Sequence, residues 1–328
     1  MKLAVVGATG MVGKEVLEVI SERDMPIKDI FLVSSEKSIQ KAIIYKGKSL
    51  QTISLEQLLT KKVDLALFAA GSEVSKMWAP IMAENGCKVI DNSSFWRMSS
   101  NHKLIIPEIN GWQLKRDDMI IANPNCSTIQ LLMVLAPLHK SLKIKRVIVS
   151  TYQAVSGSGK KAVEQLKNEE MNIEGQMAYP HKIYRNVIPH CDDFLNNGYT
   201  KEEMKITNET KKILDKNIDV VATAARVPVI GGHSESVNIT FDHSFDLKKI
   251  KDILENSPGV KVLDNISKNV YPMPINSYKK NEVFVGRIRK DFTLDKTLNL
   301  WITADNLRKG AAMNAVQIAE YLINKNIL

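Results

Sequence analysis

Cys126 is the residue in this sequence best placed to do chemistry. It stands in the stretch IIANPNCSTIQLLMVLAPL, residues 120–138, where an apolar strand gives way to an apolar helix. Ile120, Ile121 and Ala122 read as the end of a buried strand. Asn123, Pro124 and Asn125 make a turn, because proline fixes φ and asparagine tolerates unusual backbone angles. Ile129, Leu132, Leu135 and Ala136 then recur at helical spacing, with Ser127 or Thr128 as an N-cap. Cys126 is thereby expected at or just before a helix N-terminus, where exposed N–H groups and the helix dipole favour thiolate over thiol. A lone cysteine is more often a small buried filler, so its meaning depends on what else the chain supplies.

The stretch AARVPVIGGHSE, residues 224–235, supplies two candidates. Arg226 is expected inside an apolar strand, where an unpaired guanidinium is costly to bury. Its planar fork suits a bidentate carboxylate. His233 follows two glycines, a place where an imidazole can face a cleft. Upstream, STYQAVSGSG ends a strand at Gln153 and turns through Ser156 and Gly157. A glutamine emerging there can hydrogen-bond a carbonyl oxygen, and the small turn residues let a ligand approach. His102, His139, His181, His190 and His243 have no such context and receive no role. Cys191 beside His190 lacks the partner cluster that a metal site requires, so no metal is expected.

A second chemistry begins at the first residues. VVGATGMVG places Gly7, Gly10 and Gly13 between a strand and a helix, a variant of the dinucleotide fingerprint. Glycine there allows close backbone approach to a pyrophosphate, whose charge the helix N-terminus favours. An NAD enzyme usually carries an acidic residue roughly 20 positions later for the ribose hydroxyls. Here the second strand ends in Ser34 and Ser35, followed by Lys37 and Ser38 with Glu36 among them. Hydroxyls with a lysine suit a 2′-phosphate, which favours NADP.

These residues need two kinds of scaffold. Residues 1–125 alternate short apolar runs with helical patterns, the signature of a doubly wound parallel sheet. After residue 140 the apolar runs alternate and some connections are too short for parallel crossovers, so a second α+β domain with a mixed sheet is expected. The last helix carries Ala312, Val316, Ala319 and Leu322 on one stripe and is expected to pack back on the first domain. That makes residues 1–125 and 306–328 an NADP-binding, Rossmann-type domain and 126–305 a catalytic and dimerisation domain. The 328 residues, 44% hydrophobic and 25% charged, fit a soluble globular protein of that size. Three scattered cysteines and the lack of a signal or apolar span point to a reducing cytoplasm and no membrane. The formal charge of +9 is spread through mixed-sign segments, without a basic arm that would suit nucleic acid.

Taken together, GATGMVG, NPNCSTIQ, TYQAVSGSGK, RVPVIGGHSESVNI and DNLRKGAAMNAVQIAE closely resemble the aspartate-semialdehyde dehydrogenase family. The resemblance runs in order over nearly the whole chain, and the compact spacing is similar to the branch of Gram-positive bacteria and archaea-like relatives. It implies an NADP-dependent conversion of aspartyl phosphate to aspartate semialdehyde through a cysteine thioester, serving lysine, threonine and methionine synthesis, in a cytoplasmic homodimer built through the second sheet. Cys126 matches the nucleophile, His233 the general acid/base and Gln153 the residue that positions the thioester carbonyl. Arg226 matches the clamp on the substrate α-carboxylate. In TKEEMK, Glu202 matches the partner of the substrate amino group, and Lys205 a phosphate ligand. Arg97 in DNSSFWRM matches the other phosphate-binding cation, with Asn125 as a further substrate residue. Thr9, Gly10, Met11 and Val12 match the pyrophosphate turn, Ser72 a cofactor-lining position, and Ser156, Gly157 and Asn314 the nicotinamide end.

Three places depart from the family pattern. Trp96 replaces the commoner phenylalanine and keeps an aromatic wall. VIGG before His233 lacks a bulkier residue, and VSSEKS differs from the usual Ser/Arg-rich stretch at the 2′-phosphate. The nearest alternative is N-acetyl-γ-glutamyl-phosphate reductase, which shares the thioester chemistry. Its acetylated substrate would leave Glu202 without an ammonium to face. A catalytically silent NADP-binding protein would have no need of Cys126, His233 and Arg226 together.

Overall fold

The computed structural model describes residues 1–328, which divide into two compact units. Unit one takes residues 1–125 and 311–328, and unit two takes residues 126–310.

Unit one is a doubly wound sheet. Its chain order is β1 (Lys2–Val6), α1 (Met11–Glu22), β2 (Asp29–Val33), β3 (Ala42–Tyr45), β4 (Lys48–Gln51), α2 (Leu55–Leu59), β5 (Leu65–Phe68), α3 (Ser72–Glu84), β6 (Lys88–Asp91), β7 (Lys103–Leu104), α4 (Pro107–Asn110) and β8 (Ile120–Ala122). Strands are ordered β2-β1-β5-β6-β8-β7, and every pairing is parallel. Both faces are covered, which is why these strands are continuous apolar runs such as LALF, buried at all four positions. The β3–β4 hairpin has no counterpart in the sequence reading. It turns at Lys46 and Gly47, both at positive φ (46° and 75°), a geometry that matches strand twist but that KG does not announce as NG or DG would.

Unit two holds α5 (Cys126–Leu142), β9 (Ile144–Gln153), α6 (Lys160–Glu170), α7 (Lys201–Ile213), β10 (Asp219–Arg226), β11 (His233–Phe241), α8 (Leu247–Glu255), β12 (Val260–Val262), α9 (Pro274–Ser277), β13 (Val283–Lys290) and β14 (Thr297–Ala304). Its sheet runs β10-β9-β11-β14-β13-β12, with β10 parallel to β9, β12 parallel to β13 and the other pairings antiparallel. The expected mixed sheet is present, with β12 and β13 added to the strands read from sequence. α5 lies against this sheet and is buried nearly all round, from Ser127 to Leu135 without a break.

The chain returns to unit one through a π turn, Arg308–Ala312, and then α10 (Met313–Asn324). The stripe Ala312, Val316, Ala319 and Leu322 is fully buried in one cluster with Val16 and Ile20 of α1. Residues 306–310 stay with unit two, and the contacts that hold them there belong to the site.

Candidate active site

Strand register builds the site in unit two. Gln153 ends β9 and Arg226 ends β10, and the two are paired in the parallel ladder. β11 runs antiparallel to β9, so its first residue, His233, starts at the same end of the sheet, paired with Ala304 at the end of β14. Three polar side chains from segments far apart in sequence thus lie at the same end of one sheet. All are buried: Gln153 is 1% exposed, Arg226 5% and His233 0%. Arg226 is therefore terminal in its strand rather than inside it, and that position frees its side chain to turn across the sheet end.

Two glycines show how closely these groups meet. A Cβ built on Gly157 would lie 2.9 Å from Arg226 Nη1 and 3.1 Å from both Cε1 and Nε2 of His233. A Cβ on Gly310 would lie 2.7 Å from the Cβ of Cys126. At both positions the neighbouring side chains occupy the space a methyl would need.

α5 begins at Cys126 itself, so Ser127 and Thr128 lie in its first turn rather than at its cap. Ser127 Oγ instead accepts from Gln153 Nε2 at 3.1 Å, which ties the cysteine's helix to the end of β9. Cys126 is half-buried, forms no disulfide, and has the helix N-terminal amides around it. The other two cysteines differ. Burial pushes the thiol of Cys87 up to about 12 and that of Cys191 up to about 11, leaving both as thiols at neutral pH.

His233 Nδ1 accepts the backbone N–H of Ala154 at 3.0 Å. A neutral ring so held carries its proton on Nε2, and that nitrogen has no protein partner. Burial, and then the charge on Arg226, hold the imidazole well below its ordinary pKa, so the neutral form dominates at physiological pH. Arg226 Nη1 donates to the Ala154 carbonyl at 2.7 Å, its Nε is buried without a partner, and its guanidinium lies 6.0 Å from the Tyr179 ring centre. Gln153 Nε2 also donates to Glu202 at 3.1 Å and contacts Thr151 Oγ1 at 3.3 Å. Lys205 Nζ sits 3.3 Å from the other Glu202 oxygen and 2.5 Å from Asp192. Hydrogen bonds thus join Ser127, the neighbour of Cys126, to Gln153, Glu202 and Lys205, while Arg226 and His233 meet at Gly157, which follows Ser156.

Asp192, Asn306 and Glu235 were missed from sequence. Asp192 lies in a loop without periodicity. Asn306 belongs to the DNLRKG motif, but nothing in its spacing gave it a task. Glu235 follows His233 by two residues and so faces the same way. Burial pushes its carboxyl well above the ordinary range, with Gln130 of α5 opposing that shift.

Unit one carries the remaining residues. Gly7 has φ +86°, and a Cβ there would fall 2.5 Å from the Ala69 carbonyl oxygen, so β1 and β5 approach too closely for any other residue. Gly10 caps α1, and Gly13 lies against the Gly7 carbonyl. Met11 and Val12 open the helix. Val6, Gly7, Thr9, Gly10, Ser34 and Ser35 help line a cavity of about 300 Å³. That groove beside a helix N-terminus, with hydroxyls at one end, fits a dinucleotide. Lys37 and Ser38 lie on the turn Glu36–Ser38 that follows, with Lys37 exposed. Ser72 opens α3, its hydroxyl 3.2 Å from that of Ser94. Asn314 is fully buried, donating to Ile105 O and Asn123 Oδ1, with its own Oδ1 unpartnered. Asn123 continues this chain to Asn92, whose carbonyl accepts from Arg97 at 2.7 Å. Asn125 is 6% exposed, one residue before the cysteine.

Fold and site define a class, and the comparisons give it a name: family models described as semialdehyde dehydrogenase, NAD binding domain, and semialdehyde dehydrogenase, dimerisation domain, match residues 2–116 and 135–309. The chain is 47% identical over 337 residues to the aspartate-semialdehyde dehydrogenase of Aquifex aeolicus, covering 100% of this chain and 99% of that one. It is 44% identical to that of Campylobacter jejuni, over 97% of this chain and 96% of the other. The crystal structure of Vibrio cholerae aspartate semialdehyde dehydrogenase II complexed with ASA superposes with a TM-score of 0.95 at 41% identity, covering 98% of each chain. This chain belongs to the aspartate-semialdehyde dehydrogenase family, and with that membership comes an oxidoreductase of amino-acid biosynthesis that reduces aspartyl phosphate to the semialdehyde. No helix is long and apolar enough to cross a membrane.

Proposed function

We propose that the chain makes L-aspartate 4-semialdehyde from L-aspartyl 4-phosphate through a thioester on Cys126, with NADPH as reductant. The observation that carries this reading is the close approach of Arg226 Nη1 and His233 Nε2 at Gly157, with Gln153, next to the Ala154 that holds the imidazole, hydrogen-bonded to Ser127 on the cysteine's helix. A substrate carboxylate on Arg226 and an acyl group near Cys126 can then be held at once.

The Cys126 thiolate attacks the acyl carbon; the C–S bond forms, the C–O bond to phosphate breaks, and the electron pair leaves with phosphate. Gln153, tied to Ser127 of the cysteine's helix, positions the thioester carbonyl. His233, whose Nδ1 is held by Ala154, acts as acid/base through Nε2: it shares its proton with the oxyanion that forms on the acyl carbon and takes it back as the carbonyl is restored. Lys205 takes the departing phosphate and Glu202 the ammonium of the amino-acid substrate; Arg97 and Asn125 keep the phosphate- and substrate-binding roles that the family resemblance implies. Held in the Gly7–Gly13 cradle, the dinucleotide would supply hydride to the thioester carbon; the C–S bond breaks, the aldehyde leaves and the Cys126 thiolate is restored. Gly7, Thr9, Gly10, Met11, Val12 and Gly13 hold its pyrophosphate, Ser34, Ser35, Lys37 and Ser38 favour its 2′-phosphate, and Ser72 lines it further; Asn314, Ser156 and Gly157 keep the nicotinamide-end roles that the family resemblance implies. The product feeds lysine, diaminopimelate, threonine and methionine synthesis, and a homodimer forms on the second unit's sheet, whose region matches the dimerisation model.

The test is phosphate-dependent reduction of NADP by aspartate semialdehyde, wild type beside Cys126→Ala. Turnover that requires phosphate and disappears in the variant supports the thioester route. Turnover only with N-acetylglutamate semialdehyde would assign the chain to the sister chemistry and remove the role given to Glu202.

A further inference from the structure

Asn306, two residues after β14, has no part in the reaction proposed above. It is 3% exposed. Its Oδ1 accepts the backbone N–H of Gly232 at 3.1 Å and lies 3.2 Å from Ser156 Oγ, while Nδ2 donates to the same Oγ at 2.9 Å. The two partners belong to different segments. Gly232 immediately precedes His233 and has φ +90°, a conformation that glycine enters and leaves easily. Ser156 sits in the turn whose next residue, Gly157, lies against His233 and Arg226.

The backbone already stitches these segments upstream: Val155 N–H donates to Val229 O at 2.8 Å and Ser156 N–H to Ile230 O at 3.2 Å. Those bonds stop short of the two glycines that carry the chain into β11. From there to the imidazole, the Gly232 N–H is held by Asn306. We propose that Asn306 is a positioning residue, clamping the Gly231–Gly232 hinge to the Ser156 turn and so fixing the His233 ring against Gly157 and Arg226. The inference rests on the acid/base role given to His233. It assigns to the DNLRKG motif a task that the shape of the reaction alone does not reveal.

Two substitutions test it in the full-length enzyme. Asn306→Ala frees the hinge, and kcat should fall about 10- to 100-fold, the scale of an ångström-sized misplacement. KM for aspartate semialdehyde should change little, because the Arg226 clamp is held separately by Ala154. Asn306→Asp keeps the shape and the Gly232 bond, with Ser156 Oγ donating to the second oxygen. It places a carboxylate near His233, whose one charged influence is now Arg226, so the acid limb of kcat against pH should move to higher pH while the plateau stays within about fivefold of wild type. A purely structural role would lower the amount of folded enzyme without moving that limb. Wild-type kcat in Asn306→Ala overturns the inference. So does an unmoved acid limb in Asn306→Asp, which decides the matter even where the alanine variant does not fold. A wild type silent with aspartate semialdehyde and phosphate overturns the parent reading, and this inference with it.

Discussion

The cofactor cradle of unit one and the cysteine site of unit two are built by opposite means. The cradle is backbone: a strand end, a turn and a helix N-terminus within Val6–Gly13, where three glycines let main chain approach a ligand. The cysteine site is side chain: Gln153, Arg226 and His233 come from three strand ends and owe their meeting to register. A backbone site is local and declares itself in consecutive residues. A side-chain site is spread over the chain and is held by a few buried hydrogen bonds, each of them a place where it can fail.

Two glycine substitutions test that separation from opposite sides. Gly310→Ala drives a methyl to 2.7 Å from the Cβ of Cys126, and the first turn of α5 must move. Turnover should fall about 100-fold, while dinucleotide affinity by fluorescence titration stays within about twofold. Gly7→Ala forces a left-handed backbone and a 2.5 Å approach to Ala69. It should weaken dinucleotide binding about tenfold and cost about 1–3 kcal/mol of stability. Labelling of Cys126 by iodoacetamide should keep its wild-type rate. If either variant damaged both functions equally, the two sites would not be energetically separate.

Buried charge supplies a smaller contrast within unit two. The native state holds the Glu235 carboxyl well above its ordinary pKa, so folded protein keeps a proton that unfolded chain releases. Stability is then lost as pH rises from about 4.5 toward the raised value. Glu235→Gln should melt at least about 2 °C higher than wild type at pH 8 and no higher at pH 4. His233 behaves in the reverse sense: its folded pKa is depressed, so stability is lost as pH falls below about 6.5. His233→Asn should flatten the melting profile between pH 7.5 and 5.5. An unchanged profile in either variant would show that its residue titrates alike in folded and unfolded chains.

The smallest effect belongs to the cradle's exposed rim. Lys37 is solvated, so Lys37→Ala should shift the ratio of kcat/KM for NADP over NAD only about two- to fivefold toward NAD. A loss beyond about 50-fold would make Lys37 the principal 2′-phosphate ligand.

Much of this molecule is legible in its sequence, for local reasons. LALF and KLAVV could only be strands buried on both faces. Gly7, Gly10 and Gly13 marked the cradle because each answers a steric demand within a few residues, and Cys126 was placed at a helix start by its flanking turn and apolar period. The hairpin Ala42–Gln51 and strand β13 escaped because turn and strand propensities there are weak beside what pairing supplies. Ser127 seemed a cap and is instead an acceptor for Gln153. Asn306 stood in a recognised motif, yet its partners Gly232 and Ser156 lie 74 and 150 positions away. Sequence by itself thus determined the types of group, the local elements and the family chemistry, because those follow from side-chain identity and spacing along one segment. Only the tertiary structure decided which nitrogen of His233 carries the proton, what occupies the space beside residues 157 and 310, and how the imidazole is held. Those depend on distances between strand ends, which sheet register sets and linear order does not contain.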